Sequence, residues 1–227
     1  MANGRETTTV RFLGTATVLP EAGQDTACVL LNDDTLVDTG WNAPLSMLAH
    51  ETDATCLRRL LLTHCHHDHV MALPQILFYR AMKGRRPGVH TGPFTILGPE
   101  PDVGMIVSRA RSFLQADRFD DVAEQPEVVS LQAGDTWGDD AVQVRCCPAV
   151  HPVVALCYRI TDRQTGAEVV MTGDTAYHPP IADFARGADL LIHEASRGAA
   201  ESHPNDRGGH SGSIDAARIA RDAGVAR

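Results

Sequence analysis

The most informative segment of this 227-residue chain is Thr63-His64-Cys65-His66-His67-Asp68-His69. It follows the largely apolar run 57–62, so we expect it to form a loop directly after a buried strand. Imidazole and carboxylate groups are ligands that zinc, manganese and iron accept in proteins. Such a loop can turn His64 and His66 toward one ion, and Asp68 and His69 toward a second. The segment therefore predicts half of a hydrolytic centre that holds two metal ions.

Four residues further along the chain share one placement. Each ends an apolar or alternating segment, or stands in a glycine-rich stretch before a helical pattern, where functional side chains are often found. Taken singly, each is more often a hydrogen-bonding group or a helix cap. Because the same placement occurs four times, we favour a metal site over the alternative that segment 63–69 is only a solvated histidine-rich loop. These residues are His151, Asp174, His193 and His210.

The order of the short motifs along the chain resembles the metallo-β-lactamase superfamily. The last two motifs resemble the branch that contains ribonuclease Z, related phosphodiesterases and some arylsulfatases. The resemblance implies an α+β fold, a four-layer αββα sandwich, formed by a single domain over residues 1–227. The motifs are Leu13-Gly14-Thr15, Val37-Asp38-Thr39-Gly40, the segment 63–69, Thr172-Gly173-Asp174-Thr175, Leu191-Ile192-His193-Glu194-Ala195-Ser196 and His210-Ser211-Gly212.

The resemblance also implies how two divalent ions are held. Zinc is the expected ion, and manganese or iron would accept the same nitrogen and oxygen donors. Asp174 is expected to bridge the two ions. The remaining ligands are His64, His66 and His151 for one ion, and Asp68, His69 and His210 for the other.

The expected mechanism uses a hydroxide formed from a metal-bound water, because two divalent ions lower the pKa of that water toward neutrality. Asp68 would take its proton. His193 would stabilise the developing negative charge or protonate the leaving oxygen, with a purely supporting role as the alternative. Glu194 would orient His193, and Asp38 would hydrogen-bond a ligand imidazole.

Composition predicts a cytoplasmic enzyme. Hydrophobic residues make up 43% of the chain, yet no stretch approaches the roughly 20 apolar residues that span a bilayer. The residues 1–7 lack the apolar core of a signal peptide. None of the six cysteines forms a Cys-x-x-Cys pair, so we expect reduced thiols. Cys65 should point away from its histidine neighbours because side chains alternate.

The expected substrate is a small phosphodiester. Ribonuclease Z enzymes resembling this chain carry a long arm that grips transfer RNA between the lone histidine and the bridging aspartate. Here the interval between His151 and Asp174 has room only for two strands and a turn. The formal net charge of −9 also disfavours a large nucleic acid, whose binding needs positive charge. We expect no membrane partner, and the sequence leaves open whether the protein forms a homodimer.

Other interpretations remain. A ribonuclease Z-like nuclease that trims RNA 3′ ends, or a thioester, lactone or sulfate-ester hydrolase, would use the same ligands. A β-lactamase is disfavoured because His69 follows Asp68, and a non-enzymatic binding module is disfavoured because no ligand is missing. The family pattern continues with another strand where this chain stops at Arg227, which suggests truncation at the C-terminus.

Overall fold

The structure is a computed structural model that describes residues 6–202 and 208–227. It contains two compact units. The first is Thr9–Ser130, and the second is Leu131–Arg227 together with the residues before Thr9. Residues 1–5, part of the N-terminal stretch considered above, lie outside the described residues. The single-domain expectation stays a prediction.

The first unit contains a seven-stranded sheet. Its strands are β1 (Val10–Ala16), β2 (Asp25–Thr26), β3 (Cys28–Leu31), β4 (Thr35–Val37), β5 (Arg59–Leu61), β6 (Thr95–Pro99) and β7 (Glu127–Leu131). Their order across the sheet is β2-β1-β3-β4-β5-β6-β7. β4, β5 and β6 are parallel, and Val37 pairs with Leu61. Because parallel strands end at one edge, the segments that follow β4 and β5 leave the sheet side by side.

Four helices belong to the first unit. They are α1 (Ala43–Ala49), α2 (His67–Val70), α3 (Leu73–Gly84) and α4 (Asp102–Phe113). α3 buries Leu73, Ile76, Leu77 and Arg80, a spacing that places them on one helical face. This face joins an apolar core that also includes residues of β3, β5 and α4.

The second unit contains a five-stranded sheet and two helices. These elements are β8 (Thr136–Gly138), β9 (Val142–Pro148), β10 (Leu156–Asp162), β11 (Glu168–Met171), α5 (Pro180–Ala185), β12 (Leu190–Ile192) and α6 (Ser213–Ala223). The strand order is β12-β11-β10-β9-β8. α5 and α6 pack together over an apolar cluster that includes Cys157, Val170 and Ile219.

The pairing of these strands brings three loops to one edge of the second sheet. β9 and β10 are antiparallel, as are β10 and β11, whereas β11 and β12 are parallel. The β9–β10 loop and the segments that follow β11 and β12 therefore meet at the same edge. They carry His151, Asp174 and His193.

The sequence pattern over about 70–82 predicts one helix. The structure instead has α2 and α3 there, and α2 begins inside the 63–69 segment. The sequence pattern predicts no helix at the position of α1. This helix has only seven residues and no side-chain hydrogen bond at its N-cap, and it buries Ala43, Pro44 and Met47. Its stability therefore comes from tertiary packing rather than from local sequence signals.

Within residues 6–202 and 208–227, every helix is too short or too polar to cross a bilayer.

Candidate metal centre

The first ligand pair of the 63–69 segment lies just beyond β5. The Nε2 atom of His64 and the Nδ1 atom of His66 are 3.1 Å apart. Two nitrogen ligands of a tetrahedral zinc ion, with bonds of about 2.0–2.1 Å, lie about 3.3 Å from each other. The observed separation therefore fits two imidazoles that share one ion, as the sequence predicts.

The second pair belongs to α2. The Nε2 atom of His69 and the Oδ2 atom of Asp68 are 3.5 Å apart, which is again a separation suited to one shared ion. The rings of His64 and His69 have centroids 4.1 Å apart, so the two pairs are neighbours. Both His64 and His69 are buried.

Asp38 supports this segment from the end of β4. Its Oδ2 atom accepts hydrogen bonds from Nδ1 of His69 and from the hydroxyl of Thr63, both at 2.8 Å, and its Oδ1 atom accepts one from the Thr63 main-chain N–H. A proton on Nδ1 leaves Nε2 of His69 as the nitrogen that can bind a metal. The expected contact is present: Asp38 accepts a hydrogen bond from the imidazole of His69, one of the candidate ligands. Thr63 is a supporting residue that the sequence did not single out.

Cys65 does not share the ligand geometry of its neighbours. Its side chain packs against the apolar core of the first unit. Burial, with smaller contributions from the charges of Asp102 and Asp38, raises the pKa of its thiol to about 12. Since a cysteine ligand binds as thiolate, this environment favours the neutral thiol.

The second unit gathers three of the expected ligands. One ligand atom from each of them lies within 4.8 Å of the others. The rings of His151 and His210 have centroids 5.2 Å apart. Imidazole nitrogens and a carboxylate are donors that zinc accepts. The residues are His151, Asp174 and His210.

His151 is oriented by the main chain next to His210. Its Nδ1 atom lies 3.0 Å from the carbonyl oxygen of Gly209, which accepts a hydrogen bond from it. Gly209 has φ of 65°, and a Cβ atom there would lie 2.7 Å from Cα of His151. Only glycine permits this close approach. The hydrogen bond occupies Nδ1 of His151 and leaves Nε2 as the nitrogen that can bind a metal.

Glu194 differs from expectation. Its Oε1 atom lies 3.2 Å from Nδ1 of His210 and accepts the Thr175 N–H, so its carboxylate orients His210 and not His193. Successive side chains that leave an extended segment point to opposite sides, which explains the difference. Burial, and secondly the nearby charge of Asp174, raise the pKa of Glu194. The sequence motif identified the residue but not its partner.

His193 has a contrasting environment. Its Nδ1 atom donates to the main-chain carbonyl of Glu194 at 2.8 Å. Within the part of the chain that the structure describes, its buried Nε2 atom has no hydrogen-bond partner. Burial lowers the pKa of this imidazole. An unpaired buried nitrogen is costly, and a bound water or substrate group can complete its hydrogen bonding.

Comparison with known proteins identifies the family. The model of the metallo-beta-lactamase superfamily matches residues 24–227. The chain belongs to the metallo-β-lactamase superfamily. The crystal structure of the metallo-beta-lactamase fold protein YhfI from Bacillus subtilis is similar, with a TM-score of 0.76 and 25% identity over 96% of this chain and 83% of that one. The expected α+β fold class is confirmed.

Two curated relatives within the superfamily are ribonuclease Z proteins. The protein from Mycobacterium sp. (strain KMS) is 32% identical over 232 positions, covering 95% of this chain and 80% of the relative. The protein from Prochlorococcus marinus (strain MIT 9313) is 26% identical over 278 positions, covering 96% and 84%. Human tRNase Z, short form, has the same fold, with a TM-score of 0.75 at 20% identity over 97% of this chain and 90% of that one. The expected branch is confirmed, and this chain is a metal-dependent hydrolase.

Proposed function

We propose that this chain is a phosphodiesterase with a dinuclear metal centre and that its substrates are small phosphodiesters. The observation that carries the proposal is that each unit gathers imidazole nitrogens and a carboxylate, and that the pairs His64–His66 and Asp68–His69 have separations suited to a shared ion. The ribonuclease Z relatives support phosphodiester chemistry, since ribonucleases cleave that bond.

The proposed assignment uses all seven candidate ligands. His64 and His66 supply only two donors to one ion, and Asp68 and His69 supply two to another, whereas zinc is almost always four-coordinate in structural sites and keeps three protein ligands in catalytic ones. The superfamily pattern supplies the third donors. We assign His151 to the first ion, His210 to the second, and Asp174 to both.

The bound ions would supply Lewis acidity and an acidified water. The chain's own residues would do the rest. The carboxylate of Asp68 would accept a proton from the attacking water. Asp38 and Glu194 would hold His69 and His210 in the tautomer that presents Nε2, since both accept from Nδ1.

His193 would act on the phosphoryl group through Nε2. With Nδ1–H donating to the Glu194 carbonyl, a neutral His193 has an acceptor at Nε2, and a protonated one has a donor. Burial favours the neutral form in the absence of substrate. An anionic phosphoryl group would favour the protonated form, so that Nε2 donates to the developing negative charge or to the leaving oxygen.

The preference for small substrates rests on the second unit and on charge. The connection between His151 and Asp174 consists of β10, β11 and a turn closed by the hydrogen bonds from Asp162 N to Ala167 O and from Gly166 N to Asp162 O. It carries no arm. The net charge of −9 gives the chain no overall attraction for a polyanion.

We predict that the protein acts in the cytoplasm, as a monomer or a homodimer.

Processing of transfer RNA precursors is the second candidate, because the curated relatives are ribonuclease Z proteins. The alignment with the Prochlorococcus relative runs over 278 positions, more than the 227 residues of this chain, so that relative has additional segments. This difference in length favours a substrate other than precursor transfer RNA. The shared ligand motifs still favour phosphodiester hydrolysis in both proteins.

Cleavage assays at two salt concentrations distinguish the candidates. We expect turnover of cyclic and linear dinucleotide-sized diesters and of bis(p-nitrophenyl) phosphate, with little dependence on salt. A substrate held through six or more phosphates would instead lose roughly a thousandfold in affinity between 50 and 200 mM salt. Efficient, salt-sensitive 3′ trimming of a precursor transfer RNA would establish the second candidate. Faster turnover of p-nitrophenyl sulfate or a thioester would reject phosphodiester specificity.

A further inference from the structure

Asp25 is a buried carboxylate that bonds only to main-chain N–H groups among the described residues. It is 8% exposed. Its Oδ1 atom accepts from Thr26 at 2.8 Å and from Trp41 at 2.9 Å, and its Oδ2 atom accepts from Asn42 at 2.9 Å. A buried charge requires such compensation, and here two of the three donors, Trp41 and Asn42, belong to one neighbouring turn.

That turn, residues 38–42, has an unfavourable backbone conformation. Asp38 and Gly40 both have φ of 55°, in the left-handed region that glycine adopts readily but that a residue with a side chain, such as Asp38, rarely adopts. A Cβ atom on Gly40 would lie 2.9 Å from the Asp25 carboxylate, so the carboxylate packs directly against this turn. At a non-glycine residue such as Asp38 this conformation costs about 1–3 kcal/mol, and it persists only where the surroundings hold it. The two bonds from Trp41 and Asn42 to Asp25 are part of that support.

The turn in its strained form holds the metal-ligand segment at both ends. Asp38 bonds to Thr63 and to His69, as described above. The Thr39 N–H donates to the carbonyl oxygen of His69 at 2.8 Å. Movement of the turn would therefore displace His69 directly.

Thr26 adds a second connection from the same strand. Its buried hydroxyl donates to the main-chain carbonyl of Asp68 at 2.7 Å. The two residues of β2 therefore reach both ligands of the second pair, Asp25 through the turn and Thr26 by direct contact.

We infer that Asp25 and Thr26 are positioning residues. Asp25 sets the place of His69 by holding the 38–42 turn, and Thr26 sets the place of Asp68 through its main-chain carbonyl. The inference rests on the proposed function, because it assumes that Asp68 and His69 bind a metal ion. The inferred determinant of metal affinity, Asp25, lies more than forty positions before Asp68 and His69 in the sequence.

Asp25→Asn tests the inference, because the amide keeps the size of the side chain but sets an NH₂ group against one of the three N–H donors. We expect zinc affinity to fall by about tenfold, at the low end of the effect of removing an outer partner of a metal ligand. Affinity is measured by competition with a chromophoric chelator, and ligand geometry by the visible spectrum of the cobalt-substituted protein.

Asp53→Asn is the matched control. Asp53 is a half-buried carboxylate of the same unit that accepts the Thr55 N–H at 2.9 Å and pairs with Lys83, without contact to the ligand segment. Both variants should lower the Tm of the metal-free chain. Only Asp25→Asn should weaken zinc binding and change the cobalt spectrum.

Thr26→Val provides a second variant if Asp25→Asn does not fold. It removes only the hydroxyl that bonds to Asp68, and it should also weaken zinc binding. The inference would be overturned if Asp25→Asn kept the zinc affinity and the cobalt spectrum of the wild type. The same result in Thr26→Val would overturn it where that variant is needed. An equal loss of zinc affinity in Asp53→Asn would also overturn it. A wild-type chain that binds no zinc would overturn the proposed function as well, so the two failures are distinguishable.

Discussion

Replacing His193 by alanine is expected to leave both metal ions bound and to lower kcat by about 10²- to 10⁴-fold, the usual contribution of a positioned acid or charge-stabilising group. The physical reason is the buried Nε2 atom of His193, which has no hydrogen-bond partner among the described residues. A phosphoryl oxygen of the substrate would supply that partner. Steady-state kinetics with bis(p-nitrophenyl) phosphate and elemental analysis of the same samples give the two readouts.

His178→Ala is a suitable control for this prediction. His178 is another half-buried imidazole of the second unit, and burial lowers its pKa also. Its replacement should leave kcat within a few-fold of the wild type. If His193→Ala released metal as completely as the replacement of a ligand, His193 would have to be reassigned as a ligand.

Replacing His66 by alanine is expected to have the largest effect, loss of metal together with loss of hydrolysis. It removes one of the two nitrogens that lie 3.1 Å apart and leaves the ion with too few protein donors. His67→Ala offers a matched control, because this imidazole is adjacent in the same segment, exposed, and outside the proposed ligand set. Equal metal content in His66→Ala and the wild type would contradict the assignment.

Most ligand candidates could be predicted because they follow the end of a strand, whereas His210 is indicated by a glycine-rich stretch before a helical pattern. The parallel pairing of β4 with β5, and of β11 with β12, brings strand ends to one edge of a sheet, so an apolar run followed by histidine or aspartate is informative. The family resemblance indicates Asp38, and its bond to His69 agrees with the expected contact.

Residues that act through main-chain contacts could not be predicted. Asp25 bonds to N–H groups that belong to Trp41 and Asn42, and N–H groups carry no side-chain signal in a sequence. The partner of Glu194 depended on which way its side chain leaves the segment after β12. α1 depends on the core that it covers, and its own residues provide weak helix signals.

A zinc titration of the metal-free chain, followed by elemental analysis and by hydrolysis of bis(p-nitrophenyl) phosphate in the same samples, tests the central claim most directly. The proposed dinuclear centre predicts two ions per chain at saturation, with full activity reached only as the second ion binds. Full activity with no more than one ion per chain would contradict it.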